Sequence, residues 1–226
     1  MIGVLTIVRY PKYLGCFGVL SMAIFHLPLW LNKKMSFYKL LGCGKNGTFD
    51  KSPDWQQWAL LTINNTAINH LPSFIHAYWK FFRCERWTII LEPLEGHGTW
   101  DGKKCFGELN KQTNDTEMIG VLTRATIRFS RLTNFWKHVD GVAQQMSKAE
   151  GLITSVGIGE IPFIKQATFS VWENKKFMKA FAYQMRAHQE VIQKTRKENW
   201  YSEEMFVRFK IIDSYGTLNG TNPLKR

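Results

Sequence analysis

The chain has 226 residues, with 30 Lys+Arg against 18 Asp+Glu and a formal net charge of +12. That length supports one large core or two small ones, and a hydrophobic content of 45% excludes disorder as the main state. The cysteines Cys16, Cys43, Cys84 and Cys105 form no C-x-x-C pair, which speaks against a disulfide scaffold or a cysteine-rich zinc site and for reduced cytosolic thiols.

In chain order, residues 3–10 are β-branched and alternate, the pattern of a strand. Residues 13–32 then carry no charge and lie between Lys12 and Lys33-Lys34. Composition alone leaves a thin membrane span, an anchor lying in the interface and a helix packed on the fold all open, with Gly15, Gly18, Ser21, His26 and Pro28 diluting the hydrophobicity. Strands are expected over 37–42 and 58–63, a helix after the capping pair Asn64-Asn65, and a fourth strand over 87–93.

The chain then repeats itself. Met1-Ile-Gly-Val-Leu-Thr6 recurs as Met118-Ile-Gly-Val-Leu-Thr123, and Gly98-Thr-Trp-Asp-Gly102 is echoed by Gly216-Thr-Leu-Asn-Gly220. Markers that stay in step over such a distance indicate duplicated domains. The second copy predicts a strand over 120–129, a helix over 132–147, strands over 152–158 and 166–172, a helix after Glu173-Asn174 and a strand over 206–212. The order is βαββαβ twice, so the expected fold class is α+β, built from duplicated ferredoxin-like units in the manner of the dimeric α/β barrel. The expected division is 1–100 for the first unit, 101–117 for a polar linker and 118–226 for the second unit. Residues 13–31 thereby match a soluble amphipathic helix in the second copy, which argues against a membrane span.

Strand parity names the candidates for a site between two paired sheets. In the strand over 120–129 one face carries Leu122, Arg124, Thr126 and Arg128, and Arg124 is expected to face the pocket. In the strand over 166–172 the apolar set Ala167, Phe169 and Val171 is expected against the helices. Gly42-Cys-Gly-Lys-Asn-Gly47 fits G-x-G-x-x-G but lacks the following helix of a dinucleotide site and reads as a turn between strands. Histidines His26, His70, His76, His97, His138 and His188 form no H-E-x-x-H. His188 lies on an apolar helical stripe with Phe177, Phe181 and Gln184, where an imidazole either ligates a haem iron or sits satisfied in the core. Glu203-Glu204 reads as a solvated helix end. No aromatic-basic strand motif supports nucleic-acid binding.

Several phrases carry a resemblance. Leu122-Thr-Arg-Ala-Thr-Ile-Arg128, Gly157-Ile-Gly-Glu-Ile-Pro162, Gln166-Ala-Thr-Phe-Ser-Val-Trp172, Phe37-Tyr-Lys-Leu-Leu-Gly-Cys-Gly44 and Trp200-Tyr-Ser-Glu-Glu-Met-Phe-Val-Arg-Phe209 resemble the spheroidene monooxygenase family, nearly end to end. The resemblance implies a haem b enzyme that oxygenates an acyclic carotenoid at C-2 with O2, reduced by a ferredoxin-type donor. It implies a cytoplasmic protein peripheral to the membrane, with His188 as the proximal ligand and Arg124 at a haem propionate. Lys165 stands where the family carries a histidine before its Gln-x-Thr-Phe-Ser run. A non-catalytic haem- or lipid-binding protein, or another haem enzyme such as an aldoxime dehydratase on the same fold, are the alternatives.

Overall fold

The repeated hexapeptide becomes the same element twice in the computed structural model, which describes residues 1–45, 47, 51–65, 71–109, 115–184, 194–195 and 197–225. In the first half these are β1 (Ile2–Arg9), α1 (Gly15–Ile24), α2 (His26–Trp30), β2 (Met35–Gly44), β3 (Pro53–Asn64), α3 (Ser73–Phe81) and β4 (Glu85–Gly98). The second half supplies β5 (Ile119–Ile127), α4 (Leu132–Ser147), β6 (Leu152–Ile161), β7 (Lys165–Trp172), α5 (Lys175–Gln184) and β8 (Tyr201–Gly216). The eight strands close into one antiparallel barrel in the order β1-β3-β2-β6-β7-β5-β8-β4, the α+β class expected. The halves join along a long β4–β8 ladder and through a short β2–β6 pairing at Gly42↔Gly159 and Cys43↔Ile158.

Alternation puts one side chain in two inside the barrel. Leu5, Ile7, Leu61, Trp87, Ile89, Leu122, Phe169, Val207 and Phe209 meet there in one core. β5 points as expected, with Leu122 and Arg124 inward. In β7 the faces are reversed: Ala167, Phe169 and Val171 are inside, and Trp172 packs under the helices with Met178 and Phe181. The cause is register. Cross-strand partners share a face, and Arg124 pairs with Ala167 while Leu122 pairs with Phe169.

Residues 13–31 form two helical pieces, α1 and α2, interrupted at Phe25. Pro28 has no amide hydrogen to return to the preceding turn. The helix after Asn64-Asn65 is α3, which starts at Ser73; residues 66–70 lie outside the described set. The cap expected at Asn174 is made: its Oδ1 accepts the amides of Lys176 and Phe177 at 3.0 and 3.1 Å. β8 is much longer than expected, starting at Tyr201, so Glu203-Glu204 lies in a strand and not at a helix end.

The Gly98–Gly102 and Gly216–Gly220 echoes are matching turns, closed by the bridges Trp100↔Lys103 and Leu218↔Thr221. Each turn is clamped by a carboxylate from the last strand of the other half. Glu203 on β8 accepts the amides of Asp101 and Gly102 at 3.2 and 2.7 Å; Glu85 on β4 accepts those of Asn219 and Gly220 at 2.9 and 2.6 Å. Gly98 has φ +88° and its Cβ would lie 2.1 Å from the Glu204 carbonyl oxygen, so the turn needs glycine there.

Candidate functional site

Two places in this fold are built for something other than packing. The first is a ring of charge at one end of the barrel. β2 supplies Lys39, β6 Glu160, β7 Lys165, β5 Arg124 and β8 Glu203, with Trp100 and Asp101 arriving from the turn after β4. Arg124 is 1% exposed. Its Nη1 donates to Glu203, and its Nη2 lies 3.8 Å from Asp101 and 3.7 Å from Glu160. Its guanidinium sits over the Trp100 ring at 5.4 Å, and the Trp100 indole donates to Glu160 at 2.7 Å. Lys39 bonds Asp101 and reaches Glu160 at 2.5 Å, and Lys165 bonds Asp101 at 2.8 Å. Three cations thus meet three carboxylates.

The ring favours the charged forms of Asp101, Glu203 and Lys39. Burial would raise the Asp101 carboxyl, but Lys165 and Lys39 outweigh it and hold its pKa down at about 2. For Glu203 burial is likewise outweighed, by the Gly102 amide, the Thr99 hydroxyl and Arg124, and its pKa falls. Burial opposes the charge on Lys39 too, yet Asp101 and Glu160 raise its pKa overall. A group that moves protons near neutrality needs the opposite tuning. The ion pairs of the ring tie β2, β5, β6, β7 and β8 to the turn after β4.

The second place is the outer face of β5, under the helices of the second half. The same face of the first half is sealed by one continuous cluster running from Val8 and Tyr10 to Ile75 and Trp79. Among the described residues of the second half, Ile119, Val121, Met146, Trp172, Met178 and Phe181 form one cluster, and Ile127, Phe135, Trp136 and Trp200 form another. Between them Thr123 is exposed in mid-strand, although its repeat counterpart Thr6 is buried and bonded to Thr88 at 3.0 Å. The last residue of an identical hexapeptide is buried in one copy and exposed in the other. Beside Thr123 the cross-strand partner Thr168 is buried with no hydrogen bond to its hydroxyl. Thr123, Ala125 and Thr168 are short side chains of this face lying between the two clusters, and Ala125 and Thr168 are themselves buried.

Of the two expected site residues, Arg124 is among the described residues. It lies on the interior face of β5, across the strand from Thr123, and already has Glu203. His188 lies outside the described residues, as does His70; α5 is described as far as Gln184. The described histidines are engaged elsewhere: His26 with Tyr38, His76 with Arg86, His97 stacked on Phe206, and His138 between the Asn134 carbonyl and Lys194 Nζ. Sequence reasoning missed Glu203, Glu160 and Asp101. The echo of the Gly98–Gly102 turn was the one available signal, since it marked the segment that carries Asp101 to the ring.

No family model matches the chain. Among solved structures, an aldoxime dehydratase in complex with butyraldoxime superposes with a TM-score of 0.65 at 8% identity, covering 96% of this chain and 82% of that one, which shows a shared fold. Spheroidene monooxygenase of Cereibacter sphaeroides is 31% identical over 97% of this chain and 69% of its own length. That of Rhodobacter capsulatus is 32% identical over 90% of this chain and 87% of its own length. The end-to-end match to these proteins establishes that the chain belongs to the spheroidene monooxygenase family.

Proposed function

We propose that this monooxygenase inserts oxygen at C-2 of an acyclic, spheroidene-like carotenoid, using haem b, O2 and a reduced ferredoxin-type donor, at the surface of a membrane. Each oxygenation places one atom of O2 into a C–H bond and releases the other as water, consuming two electrons from the donor and two protons; a second round followed by loss of water gives a ketone. Haem, when bound, supplies the activation of O2. The observation that carries the reading is Thr123, exposed on the outer face of β5 where its repeat counterpart Thr6 is buried, in the unit that also carries His188; a slot above Thr123 would take the cofactor.

In this reading residues 1–100 and 118–226 are the two units, joined by 101–117, and the second holds the cofactor. His188 would hold its iron. Thr123, Ala125 and Thr168 form the floor, and the aromatic clusters on either side keep water out. A cofactor carboxylate could reach Arg124 only by displacing Glu203, so Arg124 acts on the slot as a positioning residue that fixes β5 from within. Protein purified after haem supply is expected to show a Soret band that His188→Ala abolishes and that Thr123→Trp, which fills the slot, reduces strongly. Pigments extracted from a host making acyclic carotenoids should gain the mass of one or two oxygens. A colourless protein under every haem supply overturns the proposal.

A further inference from the structure

The helical segment from Lys12 to Trp30 is built inside out. The side packed on the barrel is the stripe Gly15, Gly18, Ser21, Phe25 and Leu29, mostly small residues. The glycines permit close approach: a Cβ on Gly18 would stand 2.0 Å from the Trp58 indole nitrogen. The side turned to solvent carries Cys16, Leu20, Ala23, Leu27 and Trp30 at helical spacing, with Leu27 62% and Trp30 73% exposed. A helix of a water-soluble protein shows the reverse. The corresponding helix of the second half does so: α4 buries Phe135, Trp136 and Met146 and exposes Thr133, Lys137 and Ser147.

The neighbouring helix extends the same surface. α3 packs on α1–α2 through Phe25, whose ring meets Phe74 and Tyr78 edge-on, and it leaves Phe74 and Phe81 exposed. Residues 10–34 and 71–84 contain no Asp or Glu, whereas Lys12, Lys33, Lys34, Lys80 and Arg83 are all exposed there. An apolar surface this broad, bordered by cations and free of acids, matches an anionic bilayer, with apolar side chains at the acyl boundary and lysines among the phosphates. The segment is long and apolar enough to cross a membrane, but Phe25 and Leu29 hold it against Ile75 and Trp79, so it lies along the barrel.

We infer that the α1–α2–α3 layer of the first half docks on anionic phospholipid membranes, with the Leu20–Leu27–Trp30 stripe inserted at the headgroup boundary. This rests on the proposed function in one respect: a polyene substrate is dissolved in such a membrane. A cleft lined by Leu29, Trp30, Met35, Phe37 and Tyr38 opens at the edge of this layer and runs to the Lys39–Asp101 pair.

Cys16 provides the probe, because it is the exposed thiol on the stripe while Cys43 and Cys105 are buried. An environment-sensitive fluorophore on Cys16 is expected to shift to the blue with vesicles of phosphatidylcholine containing about 30% phosphatidylglycerol, and less with phosphatidylcholine alone. Leu27→Glu with Trp30→Ser should weaken vesicle binding at least ~10-fold, since both side chains are already in water and the fold does not depend on them. Lys33→Gln with Lys34→Gln should weaken it about 25-fold on the anionic vesicles, roughly fivefold per lysine. Phe129→Ser, an exposed residue of the second half, should leave it unchanged. Unchanged binding in both double variants, or an equal loss in Phe129→Ser, overturns the inference. So does a wild-type dimer that Leu27→Glu with Trp30→Ser converts to monomer, which would make a second copy the occupant. Turnover of carotenoid in detergent micelles separates the two proposals: docking variants keep it if both are right, and its absence in the wild type counts against the reaction while leaving vesicle binding as the measure of docking.

Discussion

Replacing Arg124 with Met tests whether the ring of charge holds the barrel together. The guanidinium is 1% exposed, and its main partner, Glu203, is 19% exposed. Removing one member of a buried pair costs about 3–5 kcal/mol, because the other charge is left desolvated. Glu203 keeps the Thr99 hydroxyl at 2.8 Å and the amides of Gly102 and Asp101, so the lower end applies, about 3 kcal/mol. For a chain of this size that is a fall in Tm of about 6–12 °C. The sign with pH follows from Glu203, whose folded pKa is lowered. Its contribution is complete above the unfolded glutamate pKa of about 4.3 and is lost as pH falls through the folded value. The gap between wild type and Arg124→Met should therefore be full at pH 7 and narrow below about pH 4. Thermal melts followed by circular dichroism at both pH values read it directly. Adding Glu203→Gln to Arg124→Met should recover part of the loss, since the unpaired charge is removed. A variant melting within about 2 °C of wild type at neutral pH, or a gap independent of pH, would refute the reasoning.

Gly18→Ala should destabilise by about 1–3 kcal/mol in urea unfolding, because the new methyl collides with the Trp58 indole that donates to the Trp55 carbonyl at 2.9 Å. Gly98→Ala should cost more than Gly102→Ala: both have positive φ, but only the first meets backbone, and about 1 kcal/mol is expected for Gly102 alone. Thiol labelling in the native state should modify Cys16 quickly and Cys43 hardly at all, since burial pushes the Cys43 thiol up to about 12; equal rates would show that the interior opens readily.

The strands were legible because alternation and an internal copy reinforce each other, and each half checks the other. What escaped was decided by pairing. Over 166–172 neither parity carries a charge, so nothing local in that stretch says which face is inward; the answer came from the register that sets Ala167 beside Arg124. Glu203 and Glu204 look like a solvated pair in isolation. A strand sends adjacent residues to opposite faces, so one meets Arg124 while the other stays outside. Arg124 itself was found, since an arginine on an inward parity is conspicuous, but its partners come from strands far apart in sequence. The inverted polarity of the first helical segment was visible as low charge; which side faced the barrel was not, because glycine and serine carry no hint that they will be buried.

The crossed carboxylates have a consequence for how the chain matures. When the first hundred residues leave the ribosome, the turn at Gly98–Gly102 is already made, but the glutamate that fastens it has yet to be synthesised. Glu85, in turn, waits for Asn219, 134 residues later in the chain, and for Gly220. Closure is thus a single late event that neither nascent half can finish alone, and a product cut short before Glu203 carries an unfastened hairpin and an Arg124 deprived of its nearest counter-charge.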